Sequence, residues 1–443
     1  MSYVKLLFVI LYYCALLLLC KKCSKRIFFT PEVCFVASFL PQLIYALFYV
    51  ERWNLDLNIT TLFVYMLGAT VFVVTSLLFK SYFVRLNIKK VSLNETLFKI
   101  RLNSSFLLFF AIFQFISFYY VSLTVEQITE RPNLSEAIDM FGFLSKGSGL
   151  EMPNLPGKMN MVCYSSSYLW AYYLCHAFVF RYKSNFILLF VNLLLSIIHH
   201  VLTGSRGGVV ELIIASFFFL YLFKQIRTSF NVKMSLRSFV ALILVGILGV
   251  VTFRFSLDLL GRNAISGEPI TDYVARYLSA PLKNLDIKIQ SDSFGESNVL
   301  EWKTISSLLA VIAKLIGFEY VRPVSDSSTY LSVNNFELGN VYTIYYTTLQ
   351  DMNIVGPLLY IFIMALICSA LFWSIIKNNT NANPCSTLQL RVVVYSFILT
   401  KIIFSFFGNK FYDNIMSSGL VWSVIFWFAV KKLSESRYRL KIN

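Results

Sequence analysis

Gly204-Ser205-Arg206-Gly207-Gly208 separates two strongly apolar stretches, 186–202 and 209–223. An arginine at the centre of a membrane helix costs about 2.5–3.5 kcal/mol on insertion scales, so Arg206 needs a reason to be there. Its guanidinium presents a fork of donors suited to phosphate. Gly207 and Gly208 let an anion approach the backbone closely, and a helix beginning there adds unpaired N–H groups and the positive end of its dipole. Together these residues read as a clamp for a phosphate or diphosphate. The plainer reading is a tight interhelical turn whose arginine snorkels to the interface.

Three titratable groups flank this turn. His199 and His200 precede it by about one helical turn, and Glu211 follows Gly207 by one. Imidazole titrates near working pH and can take a proton from a sugar hydroxyl; the alternative is an interfacial packing histidine. Glu211 either pairs with an arginine and orients it or serves as the base itself, because an isolated intramembrane carboxylate is expensive. His176 stands alone in an apolar run and reads as structural. Further arginines, Arg254, Arg262, Arg276 and Arg322, border or lie within a long polar segment. They are additional anion ligands or ordinary partners of Asp258, Asp272 and Asp286. No two carboxylates are spaced D-x-D, the pair with which many metal-dependent glycosyltransferases hold Mg²⁺ or Mn²⁺. Walker loops, Cys/His metal clusters and G-x-S-x-G elbows are also missing from the sequence. ATP-driven transport and hydrolase chemistry are disfavoured, and no metal or cofactor is expected.

The elements that must position these residues are membrane helices. Charged residues make up 14% of the chain, against about 25% in soluble domains, and aromatics are abundant. Helices satisfy their own backbone in lipid, so the expected fold is an all-α polytopic membrane protein. Hydropathy predicts about eleven spans for a ~30 Å hydrocarbon core: 4–20, 28–50, 60–79, 105–125, 160–180, 185–203, 208–223, 238–255, 353–376, 388–407 and 415–430. Only Lys5 precedes the first span, whereas Lys21, Lys22, Lys25 and Arg26 follow it, which is not the pattern of a cleaved signal peptide. The basic clusters after the third, fifth, seventh, ninth and eleventh spans all fall on one side of an alternating chain. By the positive-inside rule that side is cytoplasmic, the N-terminus faces outward, and the Gly204–Gly208 turn is external. The net charge of +16 therefore reflects topology and contact with anionic membrane lipids. Spread over many short loops, it is weak evidence for nucleic acid, and no nucleic-acid partner is expected.

Of the eight cysteines, six lie in predicted spans, and Cys23 and Cys385 lie in predicted cytoplasmic loops. An oxidising outer face tolerates that pattern without a disulfide. Two outer loops are long enough to fold: 126–158, and the much larger 257–352. The expected organisation is an N-terminal bundle over 1–256, the large outer loop over 257–352, and C-terminal spans with a cytoplasmic tail over 353–443. Within the large loop, Ile305, Leu308, Leu309, Ile312, Leu315 and Ile316 recur at helical spacing. They predict an amphipathic helix that lies on the outer membrane surface, packs across the bundle, or covers the loop's own core.

Leu202-Thr203-Gly204-Ser205-Arg206-Gly207-Gly208 at the mouth of a helix resembles the O-antigen polymerase family of bacterial oligosaccharide repeat-unit polymerases. Gly339-Asn340-Val341-Tyr342-Thr343, then Asp351, then Gly356 opening the next span, is similar in the same way. So is Tyr277 followed by Pro281 early in the large loop. The resemblance implies an inner-membrane glycosyltransferase acting on the periplasmic face, similar in fold to metal-independent C-type glycosyltransferases and O-antigen ligases. Its donor and acceptor would both be undecaprenyl-diphosphate-linked oligosaccharides, and a polysaccharide co-polymerase would be its partner. It implies Arg206 as a diphosphate ligand, with Arg254, Arg262 and Arg276 as further candidates. Tyr277, Asn340, Tyr342 and Asp351 become residues of the substrate loop. The base stays open among His200, His199 and Glu211. The nearest rival is an O-antigen ligase, which uses the same donor and a lipid A-core acceptor. A flippase is weaker, because Arg391 and Lys401 are the main charges near the middle of a span.

Overall fold

The computed structural model describes residues 2–24, 27–83, 99–147, 150, 152–204, 207–230, 269–291, 294, 298–321, 323, 330–381 and 387–435. Helices take up 79% of them, as expected where each backbone group must find its partner within its own segment. The protein is a polytopic, membrane-embedded helical protein. Six helices are long and apolar enough to cross a bilayer: Ser2–Ser24, Pro31–Tyr49, Ile59–Phe83, Ser104–Thr129, Gly207–Arg227 and Val355–Asn379. Helices also occupy four other predicted spans, each short of that standard for a local reason. Asn154–Val179 carries many hydroxyl and amide side chains, and Phe186–Leu202 has only 17 residues. Leu390–Ile403 gives way to a tighter 3₁₀ turn, and Ser418–Glu435 ends in Lys431, Lys432 and Glu435. The predicted span 238–255 lies outside the described residues.

The chain forms two compact units, each assembled from three stretches. One comprises residues 1–86, 268–377 and 398–421; the other comprises 87–267, 378–397 and 422–443. These units cut across the stretches 1–256, 257–352 and 353–443, because helices distant in sequence pair with one another.

In the first unit, α1 (Ser2–Ser24), α2 (Pro31–Ala46) and α3 (Ile59–Phe83) pack together. Their core is aromatic: Phe35 stacks on Phe72 at 4.3 Å, and Phe39 meets Tyr13 and Tyr65. Such pairs each contribute about 0.5–1.5 kcal/mol beyond area burial. In the second unit, α4 (Ser104–Thr129), α6 (Asn154–Val179), α7 (Phe186–Leu202) and α8 (Gly207–Arg227) pack side by side. Asn103 caps α4 by accepting from the Ser105 and Phe106 amides. The loop 126–158 contains a helix of its own, α5 (Leu134–Gly147). Its Ala137, Ile138 and Phe141 bury against Val121 and Val125 of α4 and Leu202 of α7.

The long segment of the first unit folds into short elements: α9 (Ile270–Leu278), α10 (Ala280–Ser291), α11 (Ser306–Ile316), strands β1 (Leu331–Val333) and β2 (Phe336–Gly339), and α12 (Ile344–Met352). Helices α13 (Val355–Asn381), α14 (Leu390–Ile403), α15 (Lys410–Ile415) and α16 (Ser418–Glu435) follow. The β1–β2 hairpin modifies the all-helical expectation. Asn334 and Asn335 both adopt positive φ (49° and 59°), as a two-residue hairpin turn requires. Five of the six expected residues of the amphipathic helix, from Leu308 to Ile316, fall on α11 at their predicted spacing, and Ile305 caps it.

Candidate functional site

The corner between α7 and α8 lies in the second unit, and its glycines serve three different ends. Gly204 has φ +66°, a left-handed conformation that side chains with a Cβ rarely adopt. A Cβ there would also stand 3.1 Å from Gly142 Cα and 3.2 Å from the Ile138 carbonyl oxygen of α5. Gly208 admits a close neighbour, since a Cβ would fall 2.4 Å from His200 Nδ1. Gly207, the first residue of α8, has nothing among the described residues within 4 Å of where its Cβ would be. Packing explains Gly204 and Gly208; at Gly207 no described residue fills the place of a Cβ.

The two histidines are placed on opposite duties. Asn192, Ser196 and His199 share one face of α7 and tie it to α4 and α6. Gln114 Nε2 donates to Asn192 Oδ1 (2.8 Å), and Ser196 Oγ donates to Gln114 Oε1 (3.0 Å). His199 Nε2 lies 3.0 Å from the Gln114 main-chain carbonyl oxygen. A carbonyl only accepts, so the imidazole proton sits on Nε2. Nδ1 lies 2.7 Å from the Asn160 side-chain amide, which can turn its NH₂ end to donate. Both ring nitrogens of this fully buried residue are thus spent on neighbouring helices.

His200 is oriented by Ser167 of α6. The Ser167 hydroxyl donates its one proton to the Tyr164 carbonyl oxygen (2.6 Å), so it accepts from His200 Nε2, 3.1 Å away. Nδ1 then carries the lone pair, and Nδ1 is the atom set against Gly208 at the start of α8. Glu211 lies half-buried one turn into that helix and is engaged in an interaction of its own. Arg206, Arg254 and Arg262 lie outside the described residues, as does Arg322. His176, expected to be structural, is buried, with Nδ1 3.0 Å from the Tyr182 hydroxyl.

In the first unit, the remaining candidates gather around α9, α10 and the hairpin. Arg276 Nε donates to the Glu337 carbonyl oxygen (3.0 Å), and its stem lies along Gly339. Its guanidinium is 3.7 Å from the Glu337 carboxylate, so it is tied to β2. Tyr277 stacks on Phe407 at 6.1 Å. Tyr342 is buried and stacks on Tyr346 at 4.5 Å, and Asn340, just past β2, is half-buried and engaged. Asp351 accepts from the backbone amides of Lys303 (2.8 Å) and Thr304 (2.9 Å). Burial pushes its carboxyl above the usual aspartate range. Its geometry is that of a loop anchor, both oxygens being given to main-chain donors.

Sequence reasoning missed several partners of this assembly. Asn284 of α10 donates to the carbonyls of Leu338, Gly339 and Val341. Asp286 accepts from the Asn58 amide and the Thr61 hydroxyl, and burial raises its carboxyl too. Asp272 forms an ion pair with Arg52 and accepts from Tyr49. The segment between α14 and α15 also joins in: Asn409 donates to the Thr304 carbonyl, and Lys410 places its ammonium 5.9 Å from the Phe407 ring. The only signal for these was a cluster of polar residues, Gly408-Asn409-Lys410, between two predicted spans. Among the described residues no three His, Cys, Asp or Glu side chains group as a metal site. The described cysteines are unpaired.

Comparison of the chain with protein-family models, with curated proteins and with solved structures returned no match.

Proposed function

We propose that this protein polymerises undecaprenyl-diphosphate-linked oligosaccharide repeat units at the periplasmic face of a bacterial inner membrane. The proposal includes eleven spans, an outward N-terminus, a cytoplasmic C-terminus, and a polysaccharide co-polymerase as partner. The observation that carries it is the α7–α8 corner, where His200 Nδ1 abuts Gly208 and no described residue fills the place of a Cβ at Gly207. A helix N-terminus with a glycine that packing does not demand suits an anion bound to backbone N–H groups. Arg206, adjoining Gly207 in sequence, supplies the guanidinium.

In the reaction, an acceptor sugar hydroxyl attacks the anomeric carbon of the donor glycan. The bond from that carbon to the diphosphate oxygen breaks, a glycosidic bond forms, and undecaprenyl diphosphate leaves. His200 Nδ1 takes the hydroxyl proton as general base. Preorganised donors at the α8 N-terminus and Arg206 stabilise the charge developing on the leaving diphosphate. His199 belongs to the scaffold. Arg276 and Asp351 shape the long loop of the first unit.

The test is purified protein with a synthetic undecaprenyl-diphosphate repeat unit in the presence of chelator. A ladder of elongated products is expected, and Arg206→Ala and Arg206→Lys should both abolish it, because a point charge does not replace a bidentate fork. A full ladder from Arg206→Ala would sink the clamp. Transfer only to added lipid A-core would instead identify a ligase.

A further inference from the structure

Helix α11 is apolar and amphipathic, yet among its residues only Ala313 is buried. Ile312, Leu315 and Ile316 are 44%, 80% and 73% exposed. Gly317, at φ +73°, stops the helix and turns the chain back, so that the Phe318 amide donates to the Ala313 carbonyl oxygen. The segment beyond it adds Phe318 and Val321, which are 55% and 88% exposed. Five large apolar side chains therefore make a continuous uncovered surface, an arrangement soluble surfaces rarely leave open.

The height of this surface is set by its anchors. The residues leading into α11 are held at the start of the span Val355–Asn379. Asp351, four residues before that span, accepts from the amides of Lys303 and Thr304. Trp302 meets the edge of Tyr360 in the span's second turn. Asn409 holds the Thr304 carbonyl, and α11 packs on α15, which leads into α16. The outer turns of the same span present Val355, Leu359 and Phe362 outward, each at least 40% exposed. In a membrane-spanning helix, side chains that protein leaves uncovered are the ones lipid covers. The residues leading into α11 are thus anchored at the N-terminal turns of α13. At about 1.5 Å per residue, the 11 residues of α11 are far too short to cross a ~30 Å core.

We infer that α11 and the Phe318–Val321 segment lie in the plane of the membrane, their apolar side chains inserted at the headgroup–acyl boundary. The occupant is bilayer lipid. Exposed Lys314 and Glu319 carry opposite charges on this segment, so insertion rests on apolar contact and depends little on anionic lipid. This placement seats the long loop on the bilayer at the level where a lipid-linked headgroup emerges. It does not depend on the proposed reaction.

The test is nitroxide labelling of single cysteines at Leu315, Ile316, Phe318 and Val321, in full-length protein carrying Cys23→Ser and Cys385→Ser, reconstituted into phosphatidylcholine nanodiscs. Relaxation by oxygen, which partitions into lipid, is compared with relaxation by a water-soluble nickel chelate. A label at exposed Asn335 in the hairpin turn serves as the water reference. The oxygen-to-nickel ratio at the four positions should exceed that at Asn335 severalfold, and Leu315→Glu should lower it at Phe318 and Val321 while thermal unfolding stays cooperative. Ratios equal to that at Asn335 would overturn the inference. So would labels shielded from both reagents, which would mean that protein, a second copy or a partner, covers this surface.

Discussion

The α7–α8 corner and the loop assembly around Asn284 and Asp351 both bury polar side chains, and they use them in opposite ways. In the loop assembly, Asn284, Asp351, Asp286 and Asn409 direct their hydrogen bonds largely to main-chain groups of neighbouring segments. Such contacts read shape: they fix where a loop runs. At the corner, one histidine is used up in the same manner, but its neighbour is turned so that a lone-pair nitrogen faces the start of a helix beside an unfilled glycine. One region uses its polar groups to hold segments of chain together, and the other sets a ring nitrogen against the start of a helix.

The sharpest way to break this contrast is to mutate the two histidines separately. His200→Ala should lower polymerisation by about 10²–10⁴-fold, the usual contribution of a general base, a loss far larger than any fall in the amount of folded protein. His199→Ala should do the reverse, weakening the α4–α6–α7 packing by about 1–3 kcal/mol through orphaned buried groups while turnover per folded molecule persists. In vitro glycan ladders and thermal unfolding in detergent separate the two. Equal loss of turnover from both would remove the distinction drawn here.

The adjacent glycines give a smaller but cleaner pair. Gly208→Ala forces a Cβ against the His200 ring and should destabilise by about 1–3 kcal/mol through overpacking, with product lost as well. Gly207→Ala meets no neighbour, and alanine is the better helix former by about 1 kcal/mol. Its unfolding temperature should hold or rise while product length falls, because the methyl group stands where an anion approaches the backbone. Full-length product from Gly207→Ala would show that nothing docks there.

The loop assembly should respond in stability and in pH. Asp351→Asn leaves a single acceptor for two backbone donors, which costs about 1–3 kcal/mol. Burial raises the Asp351 carboxyl above its ordinary value of 3.8, so the folded state keeps that proton at pH values where the unfolded chain has released it. The associated stability is complete below the unfolded value and is lost as pH rises through the folded one. The stability gap between wild type and Asp351→Asn should therefore narrow as pH rises above the ordinary value of 3.8. A gap that widens would mean the carboxylate, not the acid, is the favoured form.

Much of the fold was legible because lipid imposes one answer on an apolar chain. Hydropathy located α1, α3, α4 and α8 to within a few residues, and the helical spacing of Leu308 to Ile316 located α11. The hairpin escaped because its strands are three and four residues long and its turn is Asn-Asn. The corner glycines were legible as a group, but their division of labour was not. Gly204 is met by α5, about sixty residues earlier in the chain, whereas Gly208 is met by His200 of the preceding helix. Gln114, Asn160 and Ser167 escaped for the same reason: each looks like an ordinary polar residue in a span until its partner on another helix is known.

The interleaved make-up of the two units bears on how the protein is made. Helices α1 to α3 are complete by residue 83, yet the rest of their unit begins only at residue 268 and ends at 421. At the ordinary pace of synthesis, about 5–20 residues per second, the first three helices wait roughly ten to forty seconds for their partners. During that interval buried Gln42 lacks its later partners, the Phe406 carbonyl and the Ser279 hydroxyl. The nascent chain must be sheltered in the membrane by the insertion machinery or by the remaining helices until residue 421 has emerged.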